Sequence, residues 1–332
     1  MINYVEISVI RGKIIYKMEE LQKNITKTLL YYDIFSHPLK SEEIFSFLPK
    51  NSISQQDVVN FLSEASKKND SPFAEKDGYY YIKPAADNVS KRIEKENYSK
   101  RMWKRAGLVT HIIKRFPYVR AVMISGSLSK NSSDSSSDLD FMLITKPGRL
   151  WIARTLLMLF KKIIFLNSYK FFCINYYITE DNLEITDKNI FTATEIATIK
   201  PTYNSALLKK FIENNGWISS FFPNYVLCDP LLHTSGCKVS ERRSILQAIT
   251  EFFIPGFIAA KVDRKLMNMT RNHWKKRYPQ LAEQERNHMF RSTENVSKTH
   301  PGNMQKKILG LYDDKLKKFN LLSAAALISL LF

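Results

Sequence analysis

Two apolar segments, joined by a glycine-serine turn, a serine-rich loop and a pair of aspartates, constrain the fold of this 332-residue chain most strongly. Residues 118–125 are mostly apolar and lead directly into Gly126-Ser127. About ten residues later, Asp138-Leu139-Asp140 opens a second apolar run that continues to Thr145. Short apolar runs bounded by turn residues are typical of buried strands. The pattern predicts an α/β (α+β) fold, with a small sheet and helices packed against it.

The residues between these strands suit the binding of a phosphorylated ligand. Side chains at i and i+2 share one face of a strand, so Asp138 and Asp140 point the same way and repel each other unless a cation lies between them. Hard carboxylate oxygens select Mg²⁺ (or Mn²⁺), which usually arrives with substrate phosphates. Gly126 lets a triphosphate approach the backbone, and the Ser127 hydroxyl can donate to phosphate oxygens. Lys130 is either a further phosphate ligand or an exposed loop lysine.

This arrangement of Gly-Ser, loop and Asp-x-Asp resembles the signature of the DNA polymerase β-like nucleotidyltransferase superfamily, in particular the bacterial nucleotidyltransferase-domain proteins of unassigned substrate. The resemblance covers residues 118–180. It implies a small mixed sheet and a Mg²⁺-dependent enzyme that moves a nucleoside monophosphate from an NTP to a hydroxyl of an unknown acceptor. Asp138 and Asp140 would then hold the metal, and Gly126 and Ser127 the triphosphate.

The resemblance also implies a third carboxylate on a neighbouring strand, and the corresponding segment 171–178 contains no acidic residue. Cys173 or Asn175 occupies the place, and an amide cannot act as a base. Three alternatives stay open: a carboxylate comes from elsewhere, two carboxylates suffice, or the protein is a catalytically degenerate nucleotide-binding regulator or scaffold. Candidates for the first alternative are Glu195, Asp181 and Glu184. For Glu195 a second interpretation is a helix start, with Thr194 as the N-cap residue.

Three consecutive segments are predicted: 1–88, 89–185 and 186–332. The first holds an N-terminal extension and a winged-helix-like domain, since three short helices precede a hairpin with an Asp77-Gly78 turn. The predicted third helix, 55–66, has no basic residue, which favours protein packing over nucleic-acid docking. The second segment is the nucleotidyltransferase core, and the third is a basic helical module.

The formal net charge of +18 is concentrated in residues 89–120 and 261–320. Such clusters favour polyanionic partners such as nucleotides, nucleic acid or anionic lipid headgroups, although two solvated helix faces would give the same pattern. Only three cysteines occur, at wide spacing, which indicates a reducing cytoplasm rather than a disulfide framework.

No run of the sequence reaches the roughly 20 apolar residues that a membrane span needs. The apolar end Leu321–Phe332 is predicted as a docked helix, with membrane contact as the alternative.

Overall fold

The computed structural model describes residues 4–49, 54–164, 166, 168, 170–225, 239–252, 256–300 and 302–321. The chain divides into two compact units. The first contains the described residues of 1–93, 217–226 and 305–332, and the second those of 94–216 and 227–304. This division differs from the three predicted consecutive segments, because the segment 186–332 contributes residues to both units. The predicted C-terminal helix lies mostly outside the described residues.

The first unit opens with three helices whose ends follow local signals in the sequence. They are α1 (Tyr4–Asp33), α2 (Ser41–Ser46) and α3 (Gln55–Ala65). Ser54 caps α3: its hydroxyl accepts a hydrogen bond from the Asp57 N–H (3.1 Å), while the Asp57 carboxylate accepts one from the Ser54 N–H (3.2 Å). This reciprocal capping box satisfies two backbone donors that the helix leaves unpaired. The inward face of α3 buries Val58, Leu62 and Ala65.

A two-stranded hairpin follows, formed by β1 (Phe73–Lys76) and β2 (Tyr79–Ile82) in antiparallel register. Its two-residue turn has positive φ at both Asp77 (54°) and Gly78 (79°), the geometry that fits the right-handed twist of paired strands. Leu39 adds one bridge to the hairpin, since its N–H donates to Tyr80 O (3.1 Å) and its carbonyl accepts from Tyr80 N–H (2.7 Å). The predicted order of three helices and a hairpin is confirmed, but the first helix is not short, since α1 begins at Tyr4 and has 30 residues.

Residues distant in sequence complete the first unit. The helix α12 (Met304–Lys318) packs on α1: the Tyr312 hydroxyl donates to Lys27 O (3.2 Å), and its ring meets that of Tyr31 edge to face. The buried guanidinium of Arg92 donates to Pro38 O (2.7 Å) and to the Glu43 carboxylate (2.8 Å). Arg92 belongs to α4 (Asp87–Ile113). Arg92 therefore holds the turn after α1 in place, because its guanidinium binds both the Pro38 carbonyl in that turn and Glu43 of α2.

The second unit is built on a five-stranded mixed sheet. In spatial order the strands are β6 (Lys200–Tyr203), β3 (Val119–Ile124), β4 (Asp140–Thr145), β5 (Cys173–Thr179) and β7 (Val296–Lys298). β4 and β5 are parallel and are connected through α6 (Leu150–Ile164), whereas the other neighbouring pairs are antiparallel. The predicted mixed α+β architecture is therefore confirmed.

The main core of the second unit lies on one face of this sheet. Leu139, Phe141 and Leu143 pack there with Trp103 of α4 and Trp151 of α6. Because neighbouring residues of a strand point to opposite faces, Asp140 is directed away from this core. Asp138 precedes the strand, so the predicted sharing of one strand face does not apply to it. The strand β4 begins at Asp140, two residues later than predicted.

The edge strands β6 and β7 were not predicted, because the segment that contains them was interpreted as helical. β6 has only four residues and includes Pro201, and β7 has three. Proline has no N–H for a ladder, so it is tolerated at a sheet edge such as this one. Short edge strands of this composition carry little periodic signal.

The remaining described helices are α5 (Gly126–Ser129), α7 (Ile190–Thr198), α8 (Ser205–Asn214), α9 (Ile245–Phe252), α10 (Gly256–Arg277) and α11 (Glu283–Met289), with a 3₁₀ helix at Gly216–Ser220. The prediction that Thr194 caps a helix is wrong. The helix α7 begins at Ile190, and the side chain of Asn189 accepts the capping hydrogen bond from the Thr192 N–H (3.0 Å).

Among the described residues, no individual helix has the length and apolar character needed to cross a membrane. By length and composition alone, α9 and α10 pass that test only when taken together, and they are bent by 97° with respect to each other.

Candidate nucleotide site

The ends of three neighbouring strands meet at one edge of the sheet in the second unit. β3 ends at Ile124, and the next residue, Ser125, donates its N–H to Asp140 O (3.0 Å) at the start of β4. In the parallel pairing of β4 with β5, Asp140 lies opposite Cys173. The turn after β3 and the first residues of β4 and β5 are therefore adjacent, as the sequence pattern predicted for the turn and the aspartates.

Gly126 allows the turn to approach the Asp140 carboxylate very closely. Its φ is +67°, in the left-handed region that favours glycine. A Cβ added at this position would lie 2.4 Å from Asp140 Oδ2 and 3.1 Å from Asp140 Cγ. Any other residue here would displace the carboxylate, so the backbone of Gly126 and the side chain of Asp140 form one structural unit.

Asn175 reaches the same carboxylate from a bulge in β5. The β4–β5 register shifts between Phe141, opposite Ile174, and Met142, opposite Tyr176, so Asn175 is the extra residue. Bulges re-aim a side chain locally. Asn175 Nδ2 donates to Asp140 Oδ1 (2.7 Å), and the Cys173 thiol donates to Asn175 Oδ1 (3.2 Å). Asn175 thus stands beside Asp140, as expected, and acts there as a hydrogen-bond donor.

Glu195 and Lys130 bring a further ion pair to the turn. Lys130 Nζ lies 2.7 Å from Glu195 Oε1 and donates to Gly126 O (3.1 Å). Glu195 Oε2 accepts a hydrogen bond from the Gly126 N–H (3.3 Å). Both polar groups of the glycine backbone are therefore held by side chains. Glu195 reaches this position from the middle of α7, not from a helix start.

The site holds more negative charge than its buried environment favours. Burial, and then the charges of Glu195 and Asp138, raises the pKa of Asp140 from 3.8 to about 7. Burial also raises the pKa of the Cys173 thiol to about 12, so it remains protonated at neutral pH. Close carboxylates that share a poorly solvated site raise one another's pKa in this way. Positive charge brought to Asp140 would relieve this repulsion.

Ser127 and the serine-rich loop are fixed by a local network. The Ser127 and Ser133 hydroxyls are 3.1 Å apart. The Ser133 N–H donates to the hydroxyl of Ser99, and Trp103 Nε1 donates to Asn131 Oδ1 (2.8 Å). Because Ser99 and Trp103 both belong to α4, that helix holds the loop in a defined conformation. The Ser127 hydroxyl itself lies toward the loop.

Two buried basic side chains near the carboxylates were not predicted. Lys161 of α6 is only 2% exposed, and burial lowers its pKa, whereas the charge of Asp138 opposes that shift. Burial, followed by the charge of Lys298, lowers the pKa of His300 to about 4, and Glu195 opposes it. His300 is therefore neutral at pH 7. Neither residue stands in a recognisable motif, so only the fold reveals its position.

The sequence-predicted site residues divide into two groups. Gly126, Lys130, Asp140 and Asn175 are in direct contact or share a partner, and Asp138 affects Asp140 through its charge. The other proposed carboxylates lie elsewhere: Asp181 follows the far end of β5, and Glu184 pairs with Lys188 (2.8 Å). Of the three candidates for a third carboxylate, the structure brings only Glu195 to the turn.

The described part of the chain contains no group of three or more His, Cys, Asp or Glu side chains arranged to hold a metal ion. A comparison with protein-family models, with curated proteins and with solved structures finds no match for this chain.

Proposed function

We propose that the second unit binds a nucleoside triphosphate and transfers a nucleoside monophosphate from it to a hydroxyl of an acceptor. The observation that carries this proposal is the contact between the Gly126 backbone and the Asp140 carboxylate. A turn without a Cβ, set against a carboxylate, allows phosphate oxygens and a carboxylate to share one cation. The resemblance of the Gly-Ser and Asp-x-Asp pattern to polymerase β-like nucleotidyltransferases supports the same reaction.

The donor set fits a divalent cation if phosphate oxygens complete it. Asp138 and Asp140 offer hard oxygens, and their repulsion, which contributes to the raised pKa of Asp140, is what a cation would neutralise. Two carboxylates alone leave most positions of an octahedral Mg²⁺ open, so bound nucleotide would supply the remainder. A bound Mg²⁺ or Mn²⁺ would supply charge stabilisation at the reacting phosphate.

Three further side chains would have roles in this reaction. Lys130 would exchange Glu195 for a phosphate oxygen, since a lysine ammonium is a mobile point charge. Glu195, once released, is the nearest candidate for the missing third carboxylate, and it could accept a proton from the acceptor hydroxyl. Asn175 would position Asp140 through its hydrogen bond of 2.7 Å.

Asn175 also favours a second candidate function. It stands beside Asp140 where the family resemblance implies a carboxylate, and it presents its N–H₂ group to Asp140 rather than an oxygen. A site of this kind could bind NTP without turning it over. The protein would then be a nucleotide-responsive regulator or scaffold, with the first unit as its partner-binding part.

Binding and transfer can be tested separately. Thermal unfolding with each NTP and Mg²⁺ measures binding, and both candidates predict a higher Tm. Transfer is measured with α-³²P-labelled NTPs, Mg²⁺ or Mn²⁺ and a panel of hydroxyl acceptors (sugars, sugar phosphates, polyols and nucleosides), following release of pyrophosphate. Labelled product and pyrophosphate support the enzyme, whereas a Tm shift without turnover supports the regulator. No Tm shift with any NTP would overturn both.

Site variants connect either result to the proposed residues. Asp138→Asn and Asp140→Asn should each reduce transfer by about 100-fold or more, because each removes a carboxylate that would hold the cation at the reacting phosphate. The matched control is Asp181→Asn, an exposed carboxylate in the turn after β5. It should leave both transfer and NTP binding unchanged. Equal losses in all three variants would contradict the assignment of the site.

The first unit is proposed to be a winged-helix-like module that binds a protein partner. The helix order and hairpin support this proposal, and the composition of α3 determines the kind of partner. Residues 55–65 include Asp57 and Glu64 and no lysine or arginine. A helix that docks on nucleic acid needs basic residues for phosphates, so α3 is poorly suited to it.

The wide spacing of the three cysteines predicts a cytoplasmic location. This location is part of the nucleotidyltransferase proposal, because NTPs are supplied in the cytoplasm.

A further inference from the structure

The helix α9 is attached to the second unit by its polar side chains. Gln247 is fully buried and donates to the carbonyl of Val119. One turn later, Glu251 accepts hydrogen bonds from the Tyr118 N–H (2.6 Å) and from both terminal nitrogens of Arg120 (2.9 Å each). Burial alone would raise the pKa of Glu251, but Arg120 and the Tyr118 N–H lower it overall, so the carboxylate remains charged.

The opposite face of α9 is apolar and lies in solvent. Ile245 is 79% exposed, Leu246 53% and Ile249 47%. An amphipathic helix on a protein surface normally buries its apolar stripe and exposes its polar one. In α9 this polarity is reversed, since the inward residues are Gln247 and Glu251. The specific hydrogen bonds of these two residues keep the apolar face outward.

The start of α10 also exposes apolar side chains, although its inward face combines Asp263 with the apolar Ala259. Asp263 is buried and accepts a hydrogen bond from the Ile152 N–H (2.9 Å). The outward side chains are again apolar: Phe257 is 71% exposed, Ile258 44% and Val262 42%. The sequence between the two helices, residues 253–255, adds no charge. Two successive helices therefore expose large apolar side chains, and exposed apolar patches mark binding surfaces.

Basic side chains adjoin this apolar surface. Lys261 lies one turn after Phe257 and is exposed, as are Arg264 and Lys265. The whole of α10 contains seven lysines and arginines against one acidic residue, the buried Asp263. Long basic side chains can keep their charge at a polar boundary while their stems lie along apolar surface. An exposed apolar stripe interleaved with such basic side chains matches the boundary between acyl chains and anionic headgroups.

We propose that α9 and the first two turns of α10 dock on an anionic lipid surface, with the apolar side chains in the headgroup–acyl boundary and the lysines and arginines among the lipid phosphates. In-plane amphipathic helices bind membranes in this way. A second copy of the chain fits less well, because a symmetric contact would bring the same basic residues together. The proposal does not depend on the nucleotidyltransferase function.

Vesicle flotation of the full chain tests the proposal. Vesicles of equimolar phosphatidylcholine and phosphatidylglycerol should carry the protein upward, and pure phosphatidylcholine vesicles much less. Each Lys or Arg near an anionic surface contributes about fivefold to binding. Replacing Lys261 and Lys265 with serine should therefore reduce binding about 10-fold or more on anionic vesicles. Absence of wild-type binding to anionic vesicles at low salt would overturn the proposal.

A triple variant examines the apolar face itself. Ile245→Ser, Ile249→Ser and Phe257→Ser together should reduce binding to anionic vesicles by about 10-fold or more. The matched control is Leu108→Ser, a leucine of α4 that is 70% exposed outside this surface, and it should bind like wild type. Equal binding of the triple variant and wild type would overturn the proposal. A second result would also overturn it: wild type is a dimer in light scattering, the triple variant is a monomer, and wild type does not bind lipid. That result would assign the face to self-association.

Discussion

Replacing Gly126 with alanine is expected to lower the free energy of unfolding by about 2.5–5 kcal/mol. An alanine at φ +67° costs about 1–2 kcal/mol, because its Cβ approaches the following carbonyl. The new Cβ would also lie 2.4 Å from Asp140 Oδ2, whereas ordinary contacts begin at 3.4 Å. The carboxylate must therefore move by about 1 Å, which breaks the 2.7 Å hydrogen bond from Asn175. A hydrogen bond to a charged group contributes about 1.5–3 kcal/mol.

Gly148 supplies a matched control in the same unit. Its φ is +64°, and a Cβ there would meet nothing within 4 Å. Gly148→Ala should therefore cost only the backbone contribution of about 1–2 kcal/mol. Both variants are compared with wild type by urea unfolding, followed by circular dichroism. Equal costs for the two variants would refute the close approach of Asp140 to the turn.

A double variant isolates the contact itself. In an Asp140→Ala background the carboxylate is absent, so Gly126→Ala should cost no more than Gly148→Ala does in wild type. The interaction energy between positions 126 and 140 should then be about 1.5–3 kcal/mol. Additive costs would show that the two residues do not touch.

Other predictions concern the ion pairs and the bulge. Glu251→Gln should lower the free energy of unfolding by about 3 kcal/mol at neutral pH, because Arg120 loses its counter-charge. Because folding lowers the pKa of Glu251, this carboxylate stabilises the folded state above its unfolded pKa near 4.5, and the stabilisation is lost as the pH falls below that value. The difference in unfolding free energy between wild type and variant should therefore shrink in acid. A difference that stays constant with pH in urea unfolding would contradict this. Asn175→Asp should lower Tm without divalent cations, through repulsion with Asp140, and Mg²⁺ should restore it; a Tm that is indifferent to Mg²⁺ would count against a cation site. Arg92→Leu should lower the free energy of unfolding by about 3 kcal/mol, because it leaves Glu43 without its buried partner. The control Lys91→Leu, at an exposed neighbour, should lower it by at most about 0.5 kcal/mol. Similarly small effects of both variants would show that the buried contacts of Arg92 are unimportant.

The parts of the fold that were predicted correctly follow local chemistry. Ser54 and Asp57 cap α3 because their side chains reach backbone groups only three residues away. The Asp77-Gly78 turn forms a hairpin because both residues tolerate positive φ. Gly126 and Asp140 were recognised by their places at the ends of two apolar strands. Each of these signals lies within a few residues of the structure that it produces.

The parts that were missed depend on contacts between distant segments. Glu195 was one of three candidate carboxylates and could not be singled out, because it lies 69 residues from Gly126 and only the packing of α7 brings it to that backbone N–H. The edge strands β6 and β7 pair with β3 and β5, and at four and three residues they are too short to show an alternating pattern. The face of α9 could not have been predicted either. Its apolar residues would ordinarily be assigned to the core, whereas Gln247 and Glu251 occupy the inward positions.

The bulge at Asn175 has a consequence for how the site can change. The backbone pairing of β5 with β4 passes over this residue, so the register of the two strands does not depend on its side chain. Asparagine and aspartate have nearly the same shape, and one substitution here would add or remove a full negative charge beside Asp140. The charge of the site can therefore change at this position while the pairing of the sheet stays intact.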